Sequence, residues 1–135
     1  MKDAKHLQKN LGRYLDQAPS PIRDAYVDLR RHLLVMLHEL RELGRSELPE
    51  DAWSERLRWL DEKAAAFDGA FRGRLFNAVR SGELDGLQTS SLMNDLGYAS
   101  RIFQSLRNVL LLGEGQLLFR ELRRMGQDEE SLIVL

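Results

Sequence analysis

Cysteine is absent from the chain. That excludes disulfides, thiolate metal sites and a thiol nucleophile, and it fits a reducing compartment. Proline is scarce: three residues, none beyond Pro49, so the rest of the chain offers nothing to break a helix outright. Charge of one sign is lacking as well. Twenty basic and 21 acidic side chains leave a net charge of −1, which supplies no global field for nucleic acid or an anionic membrane. Apolar runs such as Leu33–Leu37 reach about five residues, where a membrane span needs about 20. Lys2, Asp3 and Lys5 leave no apolar stretch behind Met1 for a secretory signal. What is present is 43% hydrophobic content over 135 residues, the size and composition of one globular domain spanning 1–135. Basic charge is carried by 16 Arg against 4 Lys, a bias that fits a GC-rich bacterial genome.

The apolar residues recur with a helical period almost throughout. Ile22, Tyr26, Leu29, Leu33, Met36, Leu40 and Leu43 advance in alternating steps of four and three, a heptad seam that predicts a helix over 21–43. Ser20 is a good N-cap, Pro21 suits the first turn, and Gly44 reads as the stop. A second seam, Trp53, Leu57, Leu60, Ala64, Phe67, Phe71, Leu75 and Ala78, predicts a helix over 49–81. One extra step of four near Phe71 shifts this seam, Gly69 and Gly73 lie beside it, and Gly82 ends it. Asp85 and Gln88 have capping-box spacing, with Ser90 as the rival cap. Leu92, Leu96, Ala99, Phe103, Leu106 and Leu110 then predict a helix over 87–112, stopped by Gly113. Shorter helices are expected over 3–16, with Leu7, Leu11 and Tyr14, and over 116–125, followed by a tail at 126–135. The expected fold is all-α: an antiparallel up-down three-helix bundle with short flanking helices.

Motif chemistry excludes more than it offers. His6, His32 and His38 lack metal-ligand spacing, and no Ser-His-acid set or nucleophile elbow is present. Gly113-Glu114-Gly115-Gln116 follows a helix and lacks the Lys-Ser/Thr of a phosphate loop. Asp61 and Asp68, one heptad apart, could share a face with Glu55 or Glu62, and a cation could bridge such groups to carboxylates on another helix, although solvated helix faces explain the same charges. The expectation is therefore no catalysis, no metal and no cofactor. Arg72, Arg74 and Arg80 form a candidate contact for an anion or lipid headgroup, with ion pairing as the competing explanation. The aromatics Trp53, Phe67, Phe71, Phe76 and Phe103 are expected in the core, with Trp59 off the seam. Leu34, Val35, Leu37, Ile102 and Val109 widen the apolar faces beyond a three-helix core, which points either to a homodimer or to packing by the flanking helices.

The stretch Thr89–Asn108, TSSLMNDLGYASRIFQSLRN, resembles the last helix of a PhoU-like domain. More narrowly, it resembles the cytoplasmic C-terminal region of bacterial sodium/phosphate cotransporter family proteins. Asp3–Leu11 is similar to the segment that opens that region, and Phe71–Gly82 fits its helical repeat. The resemblance implies a non-catalytic regulatory or interaction domain acting in phosphate uptake. It implies a cytoplasmic position at the inner face of the bacterial plasma membrane, and a membrane transporter domain in the same polypeptide as partner. PhoU proteins often bind metal through an acidic motif. Aligned on Asp95-Leu96, its two ligand positions fall on Gly97 and Arg101, so the resemblance carries no ligands over. Asn94, Asp95, Tyr98 and Arg101 are the expected contact residues, and a structural polar cluster between helices explains them equally well. The competing expectation is a free-standing helical adaptor that dimerises through its extra apolar faces. No nucleic-acid partner is expected.

Overall fold

The computed structural model describes the backbone of residues 2–15 and 19–134 and the side chains of 3–5, 7–13 and 19–113. Among the described residues there is no strand. The helices are α1 (Lys2–Leu15), α2 (Pro21–Arg45), α3 (Glu50–Arg80) and α4 (Gly86–Val134). The protein is all-α.

Local chemistry sets most of the ends. Ser20 Oγ accepts the Arg23 N–H at 3.2 Å, and Pro21 opens α2. Glu50 and Asp51 occupy the first turn of α3, at the positive end of its dipole. That helix closes in a Schellman motif. The Gly82 N–H bonds the Val79 carbonyl at 3.2 Å, and the Glu83 N–H reaches the Ala78 carbonyl at 2.9 Å. Gly82 has φ +80°, the left-handed conformation that glycine adopts without penalty. The capping box of α4 is reciprocal: Asp85 Oδ1 accepts the Gln88 N–H at 2.7 Å, and Gln88 Oε1 accepts the Asp85 N–H at 3.2 Å.

Two glycines do not act as stops. Gly44 lies inside α2, and a Cβ there would come within 2.9 Å of Leu110 Cδ1. Its small size lets α2 and α4 approach. The α2 end falls instead at Ser46, whose hydroxyl and N–H both reach the Leu43 carbonyl. Gly113 does not end the last helix either, so the separate piece expected over 116–125 is part of α4. A helical glycine costs only about 1 kcal/mol, and no proline follows to enforce a break. The side chains of 114–135, including those of the expected tail, lie outside the described residues.

Every apolar seam faces inward. Leu29, Leu60 and Leu92 are fully buried, and the buried apolar residues fall into two clusters. One joins the first half of α2 and the start of α4 to the end of α3, through Leu29, Leu75, Leu92 and their neighbours. The other joins the far half of α2 to the start of α3 and to Phe103 of α4, through Met36, Leu57 and Leu60. This pairing makes α2 and α3 antiparallel, and α3 and α4 likewise. The expected flanking helix is more than a flank. Among the described residues, helix α1 packs on α2 and α4 but not on α3, and its Leu7 belongs to the first cluster. The described helices thus pack four together at one end and three at the other. Leu37 and Ile102, outside the strict seams, pack against that four-helix end.

Candidate functional site

Two polar features interrupt this apolar interior. The first joins three helices. Asp95 of α4 is 0% exposed, and its carboxylate is held by donors from both neighbours. Asn10 Nδ2 of α1 lies 3.0 and 2.9 Å from its two oxygens. The Tyr26 hydroxyl of α2 donates to Oδ2 at 2.5 Å, and Ser91 Oγ lies 2.9 Å from the same hydroxyl. Among the described residues no buried side-chain polar atom is left without a partner, as a stable buried polar group requires. The carboxylate has no path to solvent, so it fixes helices rather than meeting a ligand.

The expected contact residues therefore separate. Asp95 is internal. Arg101, two turns further along α4, forks onto the Asp3 carboxylate of α1 at 2.9 and 3.1 Å. Its guanidinium also lies 4.8 Å from the centre of the Tyr98 ring. Asp95, Tyr98 and Arg101 form one stretch of α4 whose two charged members bind α1, while Asn94 faces solvent. The polar-cluster alternative describes the first three, and no surface site gathers all four. The arginine cluster separates too. Arg72 bonds Asp68 at 2.7 Å and lies 3.8 Å from Met93 Sδ of α4, whereas Arg74 pairs with Asp28 of α2. Positions two apart on a helix point in nearly opposite directions. Only Arg72 and Arg80 share a surface. They line an apolar groove of about 300 Å³ with Leu75, Phe76, Val79 and Met93.

The second feature is a cleft of about 390 Å³ that reaches between α3 and α4 down to α2, where the two apolar clusters meet. Its floor is Leu33, Met36, Leu96 and Phe103. One wall is a parallel stack of His32 on Phe67, with ring centres 3.6 Å apart. Burial, with Lys63 nearby, lowers the His32 pKa from 6.5 to about 4, so the ring is neutral near neutral pH. Asp61 and Asp68, paired by spacing alone in the sequence, both line this cleft. Arg107 of α4 bonds Asp61 Oδ1 at 2.7 Å, a contact that also raises the Arg107 pKa. No group of three or more His, Cys, Asp or Glu side chains among the described residues is placed to hold a metal ion.

One aromatic leaves the expected core. Phe76 is 69% exposed on the arginine-lined groove. Trp59 is held on the surface, with Arg56 and Lys63 at 4.1 and 4.4 Å from its ring. Sequence reasoning missed Asn10 and Ser91 as members of the Asp95 cluster. It placed Tyr26 only as an apolar seam residue. A tyrosine on a core seam needs a buried partner for its hydroxyl, and that signal was available. No helix among the described residues is long and apolar enough to cross a membrane. No family model matches the chain. Comparison with characterised proteins and with solved structures also gives no match.

Proposed function

We propose that this chain is a non-catalytic, PhoU-like interaction domain of a sodium-dependent phosphate cotransporter. It works on the cytoplasmic side, at the inner face of a bacterial plasma membrane, and its partner is the membrane transporter region of the same native polypeptide. The observation that carries this reading is a juxtaposition. Two of the three segments bearing the resemblance, Asp3–Leu11 and Thr89–Asn108, lie far apart in sequence and pack on each other through Asn10–Asp95 and Asp3–Arg101. Lasting contact with a partner would use the exposed Phe76 and Val79, beside Arg72 and Arg80. The test is made on the native gene and its intact product. A membrane-spanning region in frame with the bundle is expected, together with altered sodium-driven phosphate uptake when residues 1–135 are deleted. An isolated reading frame of this length, with no transporter cross-linked to it in cells, overturns the reading.

A second reading is a helical adaptor that self-associates. Exposed Val109, Leu111 and Leu112 on α4, and Leu34 and Val35 on α2, favour it. Light scattering decides this case: a dimer supports it, and a monomer at high concentration removes it.

A further inference from the structure

The last helix is longer than the bundle it belongs to. Gly44, next to the end of α2, lies against Leu110, and the start of α1 reaches α4 at Arg101 through Asp3. Helix α3 begins beside the end of α2, where Trp53 Nε1 donates to the Leu43 carbonyl at 3.1 Å. Yet the backbone of α4 runs on to Val134. From Gly113 onward it passes the ends of the other three helices by about 30 Å, given the helical rise per residue. A helical stretch of that length is marginal in water without an apolar surface to lie on. Its sequence has the pattern to use one. Leu118, Leu122 and Met125 recur in steps of four and three, and Asp128-Glu129-Glu130 precede Leu132-Ile133-Val134-Leu135.

A surface of matching length is open on the bundle. The apolar groove beside Phe76 and the cleft beside Ala64 both lie between α3 and α4, and Arg72 lines both, so they form one furrow along that seam. From Gly86 to Gln104 of α4 the furrow spans about 27 Å. Its groove end exposes Phe76 and Val79 between Arg72 and Arg80, and Arg80 has no ion pair among the described residues. An apolar floor rimmed by arginine complements a helix in which carboxylates precede apolar residues. The stretch cannot reach the furrow of its own chain, because position 132 stands about 58 Å from Met93 along one continuous helix. It can reach that of a second copy lying antiparallel. With Leu132 set opposite Met93 of that copy, the two-fold axis falls between Leu112 and Gly113. There Val109, Leu111 and Leu112 are exposed, and a Cβ on Gly113 would meet nothing within 4 Å. The place where the two helices would meet their own counterparts is therefore apolar and open.

We propose that two copies of this chain associate with their α4 helices antiparallel, each laying residues 113–134 along the α3–α4 furrow of the other. The arrangement rests on the self-association reading and gives the Phe76 face to a second copy rather than to a transporter region. The full chain should scatter light as a dimer. Because the chain has no cysteine of its own, introduced ones report the register. A residue beside a two-fold axis meets its own counterpart. Leu112→Cys should therefore cross-link to itself under mild oxidation, whereas Leu132→Cys, far from the axis, should not. Phe76→Cys combined with Leu132→Cys should close a disulfide between copies, which needs Cα atoms within about 7 Å. Phe76→Asp should weaken association about tenfold or more with the far-UV spectrum intact, since Phe76 is exposed in the single chain. A monomer at high concentration overturns this proposal and the self-association reading together. A dimer in which Leu132→Cys cross-links to itself, the Phe76/Leu132 pair stays open, or Phe76→Asp leaves association undiminished overturns the arrangement alone.

Discussion

Acidification should cost this bundle stability through one ring. His32 takes up its proton at 6.5 in an unfolded chain and at about 4 in the folded one. Burial between α2 and α3 is the larger cause, and the positive charge of Lys63 adds to it. The folded state binds this proton more weakly, so between about pH 6.5 and pH 4 the unfolded state carries more protons. Stability therefore rises with pH across that window. The His32 contribution is complete above the window and lost as pH falls through it. If the whole difference were felt, it would amount to about 3 kcal/mol. The ring is only half-buried, and screening by solvent reduces this to about 1–2 kcal/mol. The assay is urea unfolding followed by far-UV circular dichroism at about pH 7.5 and about pH 4.5. His32→Phe keeps a flat ring against Phe67 and removes the titration. The native chain should lose about 1–2 kcal/mol more than this variant over the same interval. Every other titrating group is common to both proteins and cancels. Equal losses in the two would refute the reasoning, because His32 would then titrate alike in folded and unfolded chains.

Asp95→Ala should leave the Asn10 amide and the Tyr26 hydroxyl without their acceptor, at a cost of about 2–4 kcal/mol; urea midpoints check the cost, and hydrogen exchange should show α1 losing protection first. Arg101→Ala removes an exposed pair with Asp3 and a contact over the Tyr98 ring, so a much smaller shift of the urea midpoint than that of Asp95→Ala is expected. Leu60→Ala opens the second cluster at a fully buried position and should cost about 2–5 kcal/mol, read as a lowered melting temperature with the helical spectrum retained.

Periodicity and end chemistry were legible because they are local. The steps of four and three from Ile22 to Leu43 are those of a buried stripe, and every residue of that stripe is buried. Ser20, Gly82 and Asp85 act within a few residues of their partners, so their roles follow from sequence. Gly44 and Gly113 misled because glycine permits a stop without enforcing one. Gly44 answers to Leu110 on another helix, which no local pattern reveals. The Asp95 cluster was half legible: α4 spacing aligned Asp95 with Tyr98 and Arg101, but Asn10 meets Asp95 across 85 positions of sequence. The separation of Arg72 from Arg74 needed only helical geometry, since residues two apart do not share a face.

The two polar features differ in what they demand of the fold. At Asp95 the described buried polar groups are all paired, so the cluster sets α1 against α2 and α4. The cleft is the opposite case. Ala64 and Ala65 leave volume unfilled, and Asp61 and Asp68 at its edge pair with Arg107 and Arg72. The neighbouring His32 is held neutral. A leucine in place of Ala64 would remove the gap and add buried apolar area, a common route to greater stability. The unfilled stretch of the α3 seam is thus the place where the packing of the bundle is incomplete.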